Sequence, residues 1–255
     1  MRGQLRNAPL VGTFVNIPHP ASVEILSRAG FKAVCLDSEH SIYDLKDISE
    51  GIRAAEGAGS VPLVRVPGAG PVISQVLDAG AAGVIIPRVS SAQEARSAVS
   101  FALYPPLGGR GVGLGRTSRY GAEAAQAAAN PDDRSYVIVQ IETAAGLADL
   151  DAICAVEGLD MIMVGPHDLA ASMAEEMWSE THTATVREIL ARAQEHGLAT
   201  ALFVTSPEQM AEFSGLNVGL FLLSADVLML AQGAAVLAQA AASNLPNYRT
   251  TTGGK

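Results

Sequence analysis

The stretch that decides the fold begins Val137-Ile-Val-Gln-Ile-Glu142 and ends Met161-Ile-Met-Val-Gly-Pro-His-Asp168-Leu. Each half is a short apolar run that stops at a carboxylate, and each predicts a buried strand. Thr143 to Ile153, between them, has the pattern of a helix. Successive parallel strands carry their carboxyl ends to the same edge of a sheet. Glu142 and Asp168 are therefore predicted to lie side by side.

Two carboxylates at this edge, where α/β folds build their sites, repel each other unless a cation lies between them. Hard oxygen ligands suit an octahedral divalent metal that keeps positions open for water and substrate. A local explanation is also available, because Asp and Glu are common as caps at helix N-termini. Spacing alone leaves the metal site and the capping role of Glu142 and Asp168 both open.

Apolar runs alternate with helical patterns along the rest of the chain. The predicted strands are Leu10 to Ile17, Ala33 to Asp37, Val61 to Val66, Gly83 to Pro87, a fifth beginning at Val137, Met161 to Val164, Ala199 to Val204 and Leu220 to Ser224. The predicted helices are Pro20 to Ala29, Asp44 to Glu56, Pro71 to Asp78, Ser91 to Leu103, Gly121 to Asn130, Thr143 to Ile153, Thr181 to His196, Pro207 to Gly215 and Ala225 to Ala242.

This alternation predicts a single-domain (β/α)8 TIM barrel of parallel strands over residues 1–255, with a polar leader at about 1–9 and a disordered tail at about 246–255. A doubly wound open sheet is the alternative, but no GxGxxG follows the first strand and no phosphate-binding GxxxxGK motif occurs. Gly108 to Arg116, in a segment rich in Gly and Pro, is interpreted as a loop at the catalytic mouth, with a plain connection as the alternative.

Composition excludes several kinds of partner. The 17 basic and 26 acidic residues give a formal charge of −9, which argues against nucleic acid or an anionic membrane surface. No signal-peptide core begins the chain, and no run is expected to approach the ~20 apolar residues of a membrane span. Cys35 and Cys154 lack CxxC spacing, so neither disulfides nor a structural zinc site is predicted. A cytoplasmic location is expected.

The three lysines exclude one mechanism. Lys32 lies at the wrong end of the second strand, Lys46 lies on an outer helix, and Lys255 is terminal. None can reach the mouth, so Schiff-base chemistry is disfavoured. Carbanion chemistry in this barrel would have to be metal-assisted.

Barrel active sites lie at the C-terminal strand ends, so the residues there are candidates. The second strand ends in Asp37, Glu39 and His40, the third in Arg65, the fifth in Gln140 and Glu142, and the sixth in Asp168. His40 is a candidate base in this ring of polar groups. Arg65 either neutralises Asp37 or Glu39 or stabilises an anion or enolate. Asp78, at a helix end before the fourth strand, is either a solvated acid or a site residue.

Six sequence blocks occur in an order that resembles a known family. They are Gly-Phe-Lys-Ala-Val-Cys-Leu-Asp-Ser-Glu-His40, Val-Arg65-Val-Pro, Gln-Val-Leu-Asp78-Ala-Gly, Tyr104-Pro-Pro-Leu-Gly-Gly-Arg-Gly-Val-Gly113, Val-Gln140-Ile-Glu142-Thr and Val-Gly-Pro166-His-Asp168-Leu. From about Val11 to Leu237 the chain resembles the class II, metal-dependent pyruvate aldolases of the HpcH/HpaI type, such as 4-hydroxy-2-oxoheptanedioate and 2-dehydro-3-deoxyglucarate aldolases.

The resemblance implies that Glu142 and Asp168 bind a divalent cation, with Mg, Mn or Co as the candidates. It implies that Gln140 and the backbone of Gly165, Pro166 and His167 hold pyruvate. In such aldolases pyruvate chelates the metal through its carboxylate and keto oxygens, so the cation withdraws charge as the enolate forms.

The resemblance also implies catalytic roles. His40 is the general base, Asp78 raises its basicity, Arg65 stabilises the enolate and Asp37 lies near the aldehyde. The family is typically hexameric with exchanged C-terminal helices, and the apolar helix Ala225 to Ala242 is compatible with such a homo-oligomer.

The expected activity is reversible cleavage of a 4-hydroxy-2-oxo acid to pyruvate and an aldehyde. A citrate-lyase-β-like acyl-CoA lyase and a catalytically silent barrel that binds metal or pyruvate are the alternatives. Where the family commonly has Ser-Met-Gly-x-x-Gly, this chain has Ser172-Met-Ala-Glu-Glu-Met-Trp178. That segment borders the aldehyde side, so the second substrate stays open.

Overall fold

The computed structural model describes residues 9–124, 126 and 135–244. Eight strands pair in parallel with their sequence neighbours, and β8 pairs with β1 to close the barrel. The strands are β1 Leu10–Val15, β2 Ala33–Asp37, β3 Val61–Arg65, β4 Gly83–Ile86, β5 Tyr136–Ile141, β6 Met161–Val164, β7 Ala199–Val204 and β8 Leu220–Ala225. The TIM-barrel prediction is confirmed, and the open doubly wound sheet is excluded.

Helices follow the strands on the outside of the barrel. They are α1 Pro20–Ala29, α2 Leu45–Gly57, α3 Val72–Asp78, α4 Ala92–Ala102, α5 Ala144–Ala148, α6 Leu150–Cys154, α7 Pro166–Met173, α8 Glu180–Glu195, α9 Pro207–Phe213 and α10 Asp226–Asn244. Most begin at a side-chain cap, such as Asp44 in the capping box of α2 and Ser91 before α4.

Two features of the helices differ from the prediction. The helix expected over Thr143 to Ile153 is divided into two short helices at Asp149, whose backbone (φ −97°, ψ 12°) departs from helical values. The Asp149 carboxylate accepts the N–H of Ala92. Asp168 is not a strand end, because β6 stops at Val164 and Pro166 starts α7, which the sequence prediction did not contain. Half of the helix expected over Gly121 to Asn130 lies outside the described residues, as do residues 1–8 of the leader and the whole tail.

The period of two in each strand decides which side chains enter the barrel. Phe14, Cys35, Leu63, Ile138 and Met163 belong to the interior cluster, whereas their neighbours in sequence pack outward against the helices. A side chain two residues after an interior side chain points to the same side of the strand. The residues two positions after Phe14, Cys35, Leu63 and Ile138 therefore also face the interior, near the C-terminal ends of β1, β2, β3 and β5. The side chains that reach the C-terminal mouth in this way are Asn16, Asp37, Arg65 and Gln140.

The closing helix α10 is exposed in the single chain. Only 6% of its most apolar part is buried, and the mean hydropathy of that part is 1.3. By length and composition alone, such a helix could cross a membrane. Gln232 and Gln239 interrupt its apolar residues, so the helix contains no uninterrupted apolar run of ~20 residues, as the sequence predicts. Leu230, Val236 and Leu237 are 63%, 65% and 73% exposed. An exposed apolar surface of this kind is typical of an interaction site.

Candidate active site

A cavity of about 340 Å³ opens at the C-terminal ends of the strands. Its lining residues are Phe14, Asn16, Asp37, His40, Arg65, Gln140, Met163, Gly165, Pro166, His167, Asp168, Phe203, Ala225, Val227 and Leu228. All of the predicted site residues except Glu142 and Asp78 are among them. The cavity therefore collects side chains from strands that are distant in sequence, as expected of a barrel.

A buried ion pair joins the ends of β2 and β3. Asp37 and Arg65 are register partners, and Arg65 donates from Nε to Asp37 Oδ1 at 2.9 Å and from Nη2 to Oδ2 at 2.7 Å. Arg65 Nε also lies 3.3 Å from the Glu39 carboxylate, and its guanidinium lies 4.5 Å from the centre of the Phe14 ring. Burial works to raise the pKa of Asp37, but the Arg65 hydrogen bonds hold that pKa below its ordinary value. The guanidinium is thus neutralised while it still lines the cavity.

A second buried group forms where β5 ends. Glu142 accepts the backbone N–H of Arg88 at 2.7 Å and a hydrogen bond from Gln140 Nε2. Burial raises the pKa of Glu142 to about 7; the Arg88 N–H opposes this increase, and the Asp168 carboxylate adds to it. The amide oxygen of Gln140, Oε1, is buried and has no hydrogen-bond partner among the described residues. Gln140, which lines the cavity, therefore has an oxygen that is available to accept a hydrogen bond or to bind a cation.

Gly165 makes room for these two side chains. A Cβ added at Gly165 would lie 2.5 Å from Gln140 Nε2 and from Glu142 Oε2, so the Gln140 and Glu142 side chains would have to move to make room for it. The turn from β6 into α7 thus passes directly against the Glu142 carboxylate, and it brings Asp168 into the same site. Glycine permits this approach without displacing the Gln140 and Glu142 side chains.

The structure weighs against capping as the reason for the two acids. Thr143, not Glu142, caps α5, because its Oγ1 accepts the N–H of Gly146 at 3.0 Å. The N-terminus of α7 has no side-chain cap, although Asp168 lies in its first turn. The described residues contain no group of three or more His, Cys, Asp or Glu arranged for a metal. Two carboxylates and the unpaired Gln140 oxygen nevertheless make a hard-oxygen donor set that fits a divalent cation whose remaining ligands are water or substrate.

The N-terminus of α7 forms one wall of the cavity. Pro166 occupies the first helical turn, and the N–H groups of His167 and Asp168 in that turn have no intrahelical acceptor. Such a terminus attracts an anion. Behind it, buried His182 fixes the Pro166 carbonyl through Nε2 at 3.0 Å, while its Nδ1 accepts the N–H of Trp178 at 3.1 Å. Trp178, the last residue of the unusual Ser172 to Trp178 segment, therefore helps to hold this turn in place through His182.

His40 and Asp78 are not in contact within the described chain. The His40 side chain is 60% exposed at the cavity, and its Nε2 lies 3.4 Å from Glu39 Oε2. Asp78 ends α3 and accepts a hydrogen bond from Arg110 Nη2 at 2.5 Å, away from the cavity lining. Glu39, rather than Asp78, is the carboxylate that the fold brings to His40.

The loop expected at the mouth lies elsewhere. None of the residues 108–116 lines the cavity. Gly113 and Gly115 approach the Asp78 side chain and carbonyl, and Arg110 is buried beside the same residue. The interpretation of Gly108 to Arg116 as a loop at the cavity is therefore wrong for the single chain: the segment covers the end of α3.

Several lining residues were not among the sequence candidates. Asn16, Phe14 and Phe203 come from the ends of β1 and β7, and Val227 and Leu228 come from the first turn of α10. The strand-end rule could have found Asn16. The predicted first strand continued to Ile17, however, so Asn16 was assigned to the strand interior instead of the position just beyond its end.

The sequence profile of the HpcH/HpaI aldolase/citrate lyase family matches residues 10–232. A hydroxypyruvate/pyruvate aldolase from Roseovarius nubinhibens is 36% identical over 230 residues, covering 88% of this chain and 89% of that protein. A 5-keto-4-deoxy-D-glucarate aldolase from Salmonella arizonae is 37% identical over 191 residues, 73% of this chain and 74% of that protein. The crystal structure of an HpcH/HpaI aldolase/citrate lyase family protein from Burkholderia cenocepacia J2315 has a TM-score of 0.87 and 29% identity, covering 94% of this chain and 98% of that one. The resemblance in the sequence is thereby confirmed, and the chain belongs to the HpcH/HpaI aldolase/citrate lyase family as a carbon–carbon lyase of the aldolase type.

Proposed function

We propose that this lyase reversibly cleaves a 4-hydroxy-2-oxo acid to pyruvate and an aldehyde through a pyruvate enolate. One observation supports the proposal: Asp168, Gln140, the N-terminus of α7 and the Arg65 guanidinium line one cavity, and the Glu142 carboxylate lies next to Gln140 and near Asp168. This combination offers a place for a cation, a place for a carboxylate and a donor for developing negative charge.

Glu142 and Asp168 would hold the divalent cation, with Mg, Mn and Co as candidates. When bound, such a cation supplies a Lewis acid that withdraws charge from the keto oxygen of pyruvate. The two carboxylates also need it electrostatically, because the pKa of Glu142 rises when it is buried near Asp168 without a compensating charge.

The rest of the site would bind pyruvate and stabilise the enolate. The first-turn N–H groups of α7, next to Gly165, Pro166 and His167, bind the carboxylate of pyruvate, and Gln140 orients it. Arg65 donates to the keto oxygen as negative charge develops there, since Nε and Nη2 contact Asp37 whereas Nη1 makes no hydrogen bond to the described residues.

His40 would remove and return the proton at the methyl carbon of pyruvate. It is one of two exposed imidazoles that line the cavity, the other being His167, and Glu39 lies beside it. Asp37, held between His40 and Arg65, would border the aldehyde. The assistance of Asp78 to His40 stays a prediction, because Asp78 contacts Arg110 in the described chain.

We further propose that the barrel with its helices is one domain and that the enzyme works in the cytoplasm as a homo-oligomer, a hexamer that exchanges α10 helices between subunits. The exposed Leu230, Val236 and Leu237 support a covering protein surface. Its partners would otherwise be small molecules, namely pyruvate and an aldehyde.

Turnover of pyruvate with a panel of aldehydes, with and without a chelator, tests the function. We expect condensation products that depend on a divalent metal. Turnover of acyl-CoA thioesters in place of free aldehydes would favour the acyl-CoA lyase. Metal and pyruvate binding without any turnover would identify a silent barrel.

A further inference from the structure

Asn16 and Arg65 both donate a hydrogen bond to the same oxygen of Asp37. Asn16 Nδ2 lies 2.8 Å from Asp37 Oδ2, and Arg65 Nη2 lies 2.7 Å from that atom. The register of β1 with β2 places Val15 opposite Leu36, so Asn16 comes beside Asp37. We propose that Asn16 is a positioning residue that holds Asp37, and through Asp37 holds Arg65, in the geometry for enolate formation, an inference that rests on the proposed function.

The hydrogen bonds of Asp37 explain why one more donor matters. Its Oδ1 receives Arg65 Nε at 2.9 Å and the N–H groups of Glu39 and His40 at 3.2 and 3.3 Å. Among the described residues, its Oδ2 accepts only from Arg65 Nη2 and Asn16 Nδ2. Without Asn16, no group outside the ion pair with Arg65 fixes the position of Oδ2, so the carboxylate and the guanidinium can shift together. A misplacement of about 1 Å can lower a rate by on the order of 10²-fold.

Asp226 in turn fixes the backbone of Asn16. Its buried carboxylate accepts the N–H of Asn16 through Oδ1 at 2.8 Å and the N–H of Ile17 through Oδ2 at 3.0 Å. Asp226 is the first residue of α10, directly after β8. A continuous series of hydrogen bonds therefore runs from the root of the exposed helix through Asn16 and Asp37 to Arg65.

A different role for Asn16 is compatible with its place in the cavity lining. Its amide could contact the aldehyde, or the hydroxyl that the aldehyde becomes. Exchange of the pyruvate methyl protons with deuterated solvent separates the two roles, because this half-reaction requires Arg65 and no aldehyde.

The experiment measures that exchange by proton NMR with Mg²⁺ or Mn²⁺ for the wild type, Asn16→Ala, Asn16→Asp and Asp226→Asn. We expect the rate in Asn16→Ala to fall about 10-fold to 100-fold, with little change in the Michaelis constant for pyruvate. Asn16→Asp should be no faster, because a carboxylate cannot donate and repels Asp37. Asp226→Asn should also be slow, since one acceptor becomes an N–H donor that faces a backbone N–H.

Asp160→Asn is the matched control. Asp160 Oδ2 accepts the N–H of Val137 at 3.0 Å, at the opposite end of the barrel from the cavity. It should exchange at the wild-type rate even where its melting temperature falls. Circular dichroism reports the folding of each variant, and Asn16→Asp, nearly equal in size to asparagine, provides the test if Asn16→Ala does not fold.

Each outcome separates this inference from the proposed function. A wild type that exchanges no protons overturns the proposed function. A wild type that exchanges, together with wild-type exchange in Asn16→Ala and Asn16→Asp, overturns the positioning role. Normal exchange combined with slow aldol condensation in these variants also overturns it and assigns Asn16 to the aldehyde.

Discussion

Arg65 can act on substrate only through the part of its guanidinium that Asp37 does not occupy. Arg65→Lys keeps the positive charge but loses the planar fork that donates to Asp37 and to a second oxygen together. We expect pyruvate methyl-proton exchange to slow by on the order of 10²-fold or more, with little change in the Michaelis constant. Arg192→Lys, at an exposed ion pair with Asp151, is the control and should exchange normally. Wild-type exchange in Arg65→Lys would return Arg65 to a structural role.

The raised pKa of Glu142 predicts how metal affinity depends on pH. Burial raises this pKa to about 7, and a proton on the carboxyl competes with a cation. The affinity for the metal should therefore rise as the pH increases through about 7, and it should level off at higher pH. Titration with Mn²⁺, followed by calorimetry at about pH 6 and about pH 8, measures the difference. Equal affinity at the two pH values would mean that Glu142 is not a ligand.

At the scale of elements, the turn between β6 and α7 has to pass against the two candidate ligands. In Gly165→Ala the new methyl group would overlap Gln140 Nε2 and Glu142 Oε2. We expect Mn²⁺ affinity to fall by roughly 10-fold or more, as when groups that orient metal ligands are disturbed. Gly215→Ala, where an added Cβ meets nothing within 4 Å, should bind Mn²⁺ normally. Unchanged affinity in a folded Gly165→Ala would separate the turn from the metal site.

Element boundaries explain which site residues the sequence could predict. Asp37, Arg65 and Gln140 end apolar runs whose period of two is visible in the sequence, so their place at the mouth was predictable. The position of Asn16 at the mouth was missed, because the apolar Ile17 extends the predicted strand past the true end of β1. The Asp78 to Arg110 contact depends on how an irregular segment folds back over α3, and hydrophobic periodicity contains no information about such a segment.

At the scale of the whole molecule, the alternation of eight strands with helices was enough to predict a closed barrel, in which each strand pairs with the next in sequence and β8 pairs with β1. Alanine and leucine give α10 a high mean hydropathy, although Gln232 and Gln239 interrupt its apolar residues. Its environment depends on what covers it, which is a property of an assembly rather than of one chain.

The exposed face of α10 predicts an oligomer. Leu230→Glu with Leu237→Glu places charges on residues that are 63% and 73% exposed in one chain. We expect the wild type to sediment as an oligomer and the double variant to dissociate toward a monomer, because a buried unpaired charge is strongly unfavourable at an interface. Ile25→Glu, an exposed apolar position on α1, is the control. A monomeric wild type that floats with lipid vesicles would instead assign α10 to a membrane.

The central claim is that Glu142 and Asp168 hold the cation on which enolate formation depends. Proton NMR of pyruvate in deuterated solvent, with limiting Mn²⁺ or Mg²⁺, measures it most directly in the wild type, Glu142→Gln and Asp168→Asn. The account predicts methyl-proton exchange in the wild type that a chelator stops, and no exchange in either folded variant at low metal, because each has lost a charged ligand. Exchange at the wild-type rate in both variants, or exchange that persists in the chelated wild type, would contradict it.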